Sequence, residues 1–121
     1  MDYLSQDHLH QFLVRGRYVE HWKGPVTIEE KPFLRWLRLG KGKTGNYLVV
    51  VKDVHPDNEI GILERLIPFD YDEPEGRFTY FGTEQEALAY LVDELGASPD
   101  RFVRLGEVQQ EYEKYLASQT I

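Results

Sequence analysis

The sequence predicts an α+β domain: an antiparallel sheet of about four strands with an N-terminal helix and two C-terminal helices. Three observations lead there. Between Val26 and Phe81, apolar runs of strand length are divided by turn-forming Gly, Pro, Asn and Asp. At Thr83 the apolar period changes to that of a helix and holds nearly to the end. No helical pattern separates the strands, so parallel βαβ units are not expected, and the helices should cover one face of the sheet. At 121 residues, with no repeat and no linker, residues 1–121 are expected to form a single domain.

Each element has its own warrant. From Ser5 to Trp22, Leu9, Phe12, Leu13 and Val19 fall at near-helical spacing behind Ser5 as cap, with Gly16 placed to end or bend the helix. Gly24-Pro25 punctuates the chain, and Val26-Thr27-Ile28 begins an extended stretch. Phe33 to Leu39 suits a strand with Phe33, Arg35, Leu37 and Leu39 on one face and Leu34, Trp36 and Arg38 on the other. Gly40 to Asn46 is a hairpin connection into Tyr47–Val51, which is apolar enough for a central strand. His55-Pro56-Asp57-Asn58 turns the chain, Ile60 to Phe69 runs back, and Gly76 to Phe81 adds a strand with Phe78 and Tyr80 on one face. Thr83 and Glu86 form a capping box, behind which Leu88, Leu91, Val92 and Leu95 make an apolar stripe that Gly96 stops. Ser98 as cap and Pro99 as first residue start a further helix, its stripe running through Phe102, Leu105, Val108, Tyr112, Tyr115 and Leu116, with Gly106 as a kink or break.

Composition narrows the function classes. The absence of cysteine removes disulfides, thiolate metal sites and cysteine nucleophiles. A net charge of −7 disfavours general binding to nucleic-acid phosphates. The N-terminus carries no cationic segment followed by an apolar run, and no apolar run approaches the ~20 residues of a membrane span, so a cytoplasmic protein is expected. Ser5 and Ser98 sit at helix caps and Ser118 near the end, with no motif marking a nucleophile, so an enzyme is not expected.

The charge is unevenly placed. Through Lys52 there are nine Lys/Arg against five Asp/Glu; from Asp53 onward there are five against sixteen. Eight of the twenty-one acids lie between Asp53 and Glu75, mostly in DVHPDNE (Asp53 to Glu59) and DYDEPEG (Asp70 to Gly76). Carboxylates this close repel one another unless water or a cation separates them. Calcium takes six to eight oxygens at about 2.3–2.6 Å and suits short flexible loops that aim carboxylates at one point. Asp70, Asp72, Glu73 and Glu75 are therefore the first candidate ligand set, and Asp53, Asp57, Asn58 and Glu59 the second. In a simple meander the two turns would stand at opposite ends of the sheet and make two sites. The spacing is not that of an EF-hand, since counting from Asp70 puts Pro74 at position 5, Glu75 at 6 and Phe81 at 12. A solvated acidic turn is the plainer account of either stretch.

Other motifs carry less. His8 and His10 point to different sides of a helix, and His21 and His55 have no near partner in sequence, so zinc would require long-range convergence. Gly40-Lys41-Gly42-Lys43-Thr44 has the tail of a phosphate-binding loop, but Leu37 stands where the motif needs glycine, and a strand follows instead of a helix. Arg35, Arg38, Lys41 and Lys43 with Trp36 and Tyr47 have the basic and aromatic mix of a single-strand nucleic-acid surface, against the net charge.

Small size, acidity, lack of cysteine and the two acid-rich turns DVHPDNE and DYDEPEG together give a chain that resembles the small non-EF-hand calcium-binding proteins of cyanobacteria. That resemblance implies a cytoplasmic calcium buffer or sensor in signalling, without enzymatic activity. The rival expectation is a protein-interaction module, an inhibitor or assembly factor, whose acidic C-terminal portion meets a basic protein partner. A nucleic-acid binder through the basic N-terminal portion is the third.

Overall fold

The computed structural model describes residues 3–42, 45–56 and 77–119. Along these run α1 (Gln6–Val14), β1 (Val19–Ile28), β2 (Lys31–Lys41), β3 (Tyr47–Val54), β4 (Arg77–Phe81), α2 (Glu84–Asp93), β5 (Val103–Arg104) and α3 (Val108–Gln119). The strands form one sheet in the order β4-β3-β2-β1-β5, antiparallel throughout. The α+β class, the N-terminal helix and the two C-terminal helices are as expected; the sheet has one strand more.

Two of the five strands, β1 in its first part and β5, come from segments read as helical. Ser5 caps α1 by accepting from the His8 amide at 3.2 Å, but the helix stops at Val14, and Gly16 turns the chain at φ +75°. Val19, expected on this helix, instead opens β1. There Val19 and His21 face one side of the sheet while Glu20 and Trp22 face the other, an alternation that only an extended chain can make. Gly24-Pro25 does not end the strand. The register slips at Lys23, with Trp22 opposite Trp36 and Gly24 opposite Arg35, and this bulge accommodates Gly24 at φ +88° and a proline without an amide hydrogen.

The start of the last helix is also later than Ser98-Pro99 suggested. Phe102 is buried in one core and its neighbour Val103 in the other, which again demands extended backbone, and Val103 pairs with Glu20 as part of β5. The amide of Leu4 donates to the Phe102 carbonyl at 2.8 Å and fixes this crossing. Only past Gly106, at φ +91°, does α3 begin.

The helices divide between the faces instead of sharing one. On one side Leu9 and Leu13 of α1, Ala87 and Leu91 of α2, and Phe102 cover Val19, Leu37, Leu39, Val49 and Val51. On the other, Val108, Tyr112 and Tyr115 of α3 cover Trp22, Leu34, Trp36 and Val54. The physical reason is in β2 and β3: Leu34 and Trp36 have one parity, Leu37 and Leu39 the other, so each face needs a cover. Full burial of a side chain of this size stabilises by ~1.5–3 kcal/mol, enough to decide the layering. Thr83 caps α2 as expected, the Glu86 amide donating to its Oγ1 at 3.1 Å, while the Glu86 carboxylate accepts from the Thr83 hydroxyl at 3.0 Å, a side-chain bond in place of the backbone half of the capping box. Gly96 stops the helix at φ +71°.

β3 and β4 are direct neighbours, joined from Tyr47 opposite Phe81 to Val51 opposite Arg77. The expected strand from Ile60 to Phe69 lies outside the described residues. No helix among the described residues is long and apolar enough to cross a membrane.

Candidate functional site

The pairing of β3 with β4 decides where the acid-rich stretches attach. β3 runs three residues past the start of β4, and over that overhang Lys52, Asp53 and Val54 pair with Trp36, Arg35 and Leu34 of β2. β3 ends at Val54 and β4 begins at Arg77, on adjacent antiparallel strands and at the same end of that pair. DVHPDNE begins within β3, and DYDEPEG ends one residue before β4. The points where the two stretches join the sheet therefore share one end of one strand pair, whereas a simple meander would put them at opposite ends.

Of the eight expected ligands, Asp57, Asn58, Glu59, Asp70, Asp72, Glu73 and Glu75 lie outside the described residues. Asp53 lies within them. Its carboxylate is gripped side-on by Arg35, with Nε at 2.6 Å from Oδ1 and Nη2 at 3.0 Å from Oδ2, and both side chains are mostly buried. A bidentate guanidinium holds a carboxylate in a set orientation. To ligate a cation, Asp53 would have to share an oxygen with Arg35 or release it. Beside this pair, His55 meets the Phe33 ring edge-on at 6.3 Å.

A second charged group, not among the candidate residues, sits deeper in the sheet. Glu20 is fully buried; its Oε2 accepts from Arg38 Nη2 at 3.1 Å and Nε at 3.3 Å, and its Oε1 accepts from the Gly106 amide at 2.8 Å. Three N–H donors, two of them on the Arg38 guanidinium, offset the large cost of burying a carboxylate. The group ties β1, β2 and the turn before α3 together. Glu20 fell within the segment expected to be helical, so its pairing with Arg38 emerges only with the register of β1 against β2.

These pairs also change the reading of the basic residues. Arg35 and Arg38 are each committed to a carboxylate, Trp36 is fully buried and stacked on Trp22 at 6.1 Å, and Lys41 lies over the Tyr47 ring at 5.9 Å. Lys43 is outside the described residues. The basic and aromatic residues thus face partners within the fold instead of forming one open surface. Gly40, read with the phosphate-loop tail, has a packing reason: a Cβ there would collide with the Tyr18 ring.

Each histidine has its own surroundings. His10 Nδ1 bonds the Glu84 carboxylate at 2.9 Å and links α1 to α2, while His8 is exposed. His21 is 3% exposed, and its Nε2 accepts from the Ser98 amide at 3.0 Å, with the Phe102 ring edge-on at 5.1 Å. Burial pushes its pKa down to about 4, and the positive charges of Arg101 and Lys23 add to that shift. Among the described residues no three His, Asp or Glu side chains converge on one point. Comparison of the chain with protein-family models, curated proteins and solved structures finds no match.

Proposed function

We propose that the chain is a calcium-binding protein, a cytoplasmic buffer or sensor that acts by binding and not by catalysis. The observation that carries this reading is the register of β3 against β4, which tethers DVHPDNE and DYDEPEG to the same end of the sheet. Joining two acid-rich stretches to the same end of a strand pair limits how far apart their carboxylates can move, and a divalent cation would relieve the repulsion between them. Asp70, Asp72, Glu73 and Glu75 supply the ligands, with Asp57, Asn58 and Glu59 contributing from the other stretch. Asp53 orients its stretch through Arg35. The proposal thus becomes one composite site instead of two separate ones.

Calorimetric titration of chelator-treated protein with calcium tests it. One saturable event is expected, weakened at least ~tenfold, or ~1.4 kcal/mol, both by Asp70→Asn with Asp72→Asn and by Asp57→Asn with Glu59→Gln. Two independent events, each lost with only one pair, would return the reading to two sites. No event at all would remove it.

A second reading, the interaction module with a basic partner, is favoured by the end of α2. Asp93 and Glu94 are exposed at the negative end of that helix dipole, with no basic residue in its last turn and Asp100 exposed close by in sequence. Acids so placed cost stability, and a cationic partner surface would offset that cost. Association that weakens steeply with salt, and is insensitive to calcium, distinguishes this reading from the first.

A further inference from the structure

β4 is the outer strand of the sheet, and among the described residues its only neighbour is β3. Outer strands of stable proteins are usually protected by a proline, a lysine, a bulge or an inward-pointing charge. The sequence of β4, Arg77-Phe78-Thr79-Tyr80-Phe81, has none of these between its ends, and its pairing with β3 runs without a register shift. Phe78 and Tyr80 project from one face, 50% and 57% exposed, with their rings edge-on at 5.8 Å. Two large exposed aromatic rings, on a strand whose outer edge is unpaired among the described residues, are the composition of an interface and not of a solvated edge.

The strand is also self-complementary. If it pairs antiparallel with itself about Thr79, each Phe78 stands opposite Tyr80 of the partner subunit, and each Tyr80 opposite Phe78 of the partner subunit. Arg77 then takes the register position opposite Phe81 of the partner subunit and not the position opposite its own copy. A two-fold interface requires this property, in which each contact is made twice by the same patch. An unrelated strand would gain nothing from the symmetry. From this we infer that β4 is the seam of a homodimer, in which two copies join their sheets edge to edge across Thr79 and cover each other's Phe78 and Tyr80. Because each copy carries −7, long-range repulsion opposes association, and the seam should tighten as salt rises.

Sedimentation equilibrium over a concentration series, in chelator so that no cation contributes, is the test. The expected result is a monomer–dimer equilibrium that shifts toward dimer with added salt and is abolished by Tyr80→Lys or Phe78→Lys. Both positions are exposed, so these variants should keep the circular dichroism of the folded chain. The native chain has no cysteine, so single thiols report the seam: Thr79→Cys should crosslink between copies with a short bis-maleimide, and Val14→Cys, exposed on α1, should not. A native chain that stays monomeric at every concentration overturns the inference. So does a dimer that survives both lysine variants, or one that crosslinks no better at Thr79→Cys than at Val14→Cys.

Discussion

His21 shows how one residue couples distant segments. Its Nε2 accepts from the amide of Ser98, 77 positions away, and can do so only while it is unprotonated. Among the described residues its buried Nδ1 makes no hydrogen bond. The unfolded chain takes up a proton at His21 near pH 6.5, whereas the folded chain refuses it until about pH 4. Across that window the unfolded state binds more protons, so acid favours unfolding. The contribution is fully present above pH 6.5 and is lost as pH falls toward about 4, a total of ~3 kcal/mol at ~1.4 kcal/mol per pKa unit. His21→Gln retains an acceptor for the Ser98 amide but does not titrate. Urea unfolding between pH 7 and 4 should therefore show a shallower pH slope in that variant than in the native protein; equal slopes would mean that His21 charges without resistance.

Among the elements, the β1–β2 hairpin carries visible backbone strain. Ile28 pairs with Lys31, so Glu29 and Glu30 form a two-residue turn, and both have positive φ, 50° and 67°. That turn type favours Asn-Gly, because a Cβ in the left-handed region costs about 1–2 kcal/mol and glycine avoids it. Two adjacent like charges add repulsion. Glu29→Asn with Glu30→Gly is expected to raise stability by ~1 kcal/mol, part of the relief being offset by the greater freedom of glycine in the unfolded chain. The check is a higher urea midpoint at unchanged slope; a lower midpoint would mean that the glutamates hold the turn by contacts stronger than its strain.

At the scale of the whole molecule, the dominant feature is a sheet covered on both faces whose acid-rich stretches attach at one end. If a cation relieves the repulsion there, its binding to the folded state raises the melting temperature by mass action. Calcium is expected to raise it by several degrees, and magnesium at the same concentration by much less, since magnesium demands stricter octahedral geometry and sheds water reluctantly. Equal shifts by the two ions would indicate charge screening without a dedicated site.

Much of this architecture was legible before any coordinates. The Ser5 cap, the Thr83–Glu86 box, the apolar stripe ended by Gly96 and the alternation of Phe33 to Leu39 are local features. They are set by hydrogen bonds and side-chain spacings that span three or four residues, and the sequence displays them directly. The continuous run Leu48-Val49-Val50-Val51 even carried the signal of a strand buried on both faces, although the helices were still expected on one. Tertiary structure decided the rest. Val19 and Phe102 are extended, not helical, because neighbours in sequence had to feed opposite cores. Glu20 found Arg38 and Gly106, His21 found Ser98, and the attachment points of the two acidic stretches came to one end of a strand pair through the register of β3 with β4. Those outcomes belong to pairing energies between residues far apart along the chain, and no local pattern encodes them.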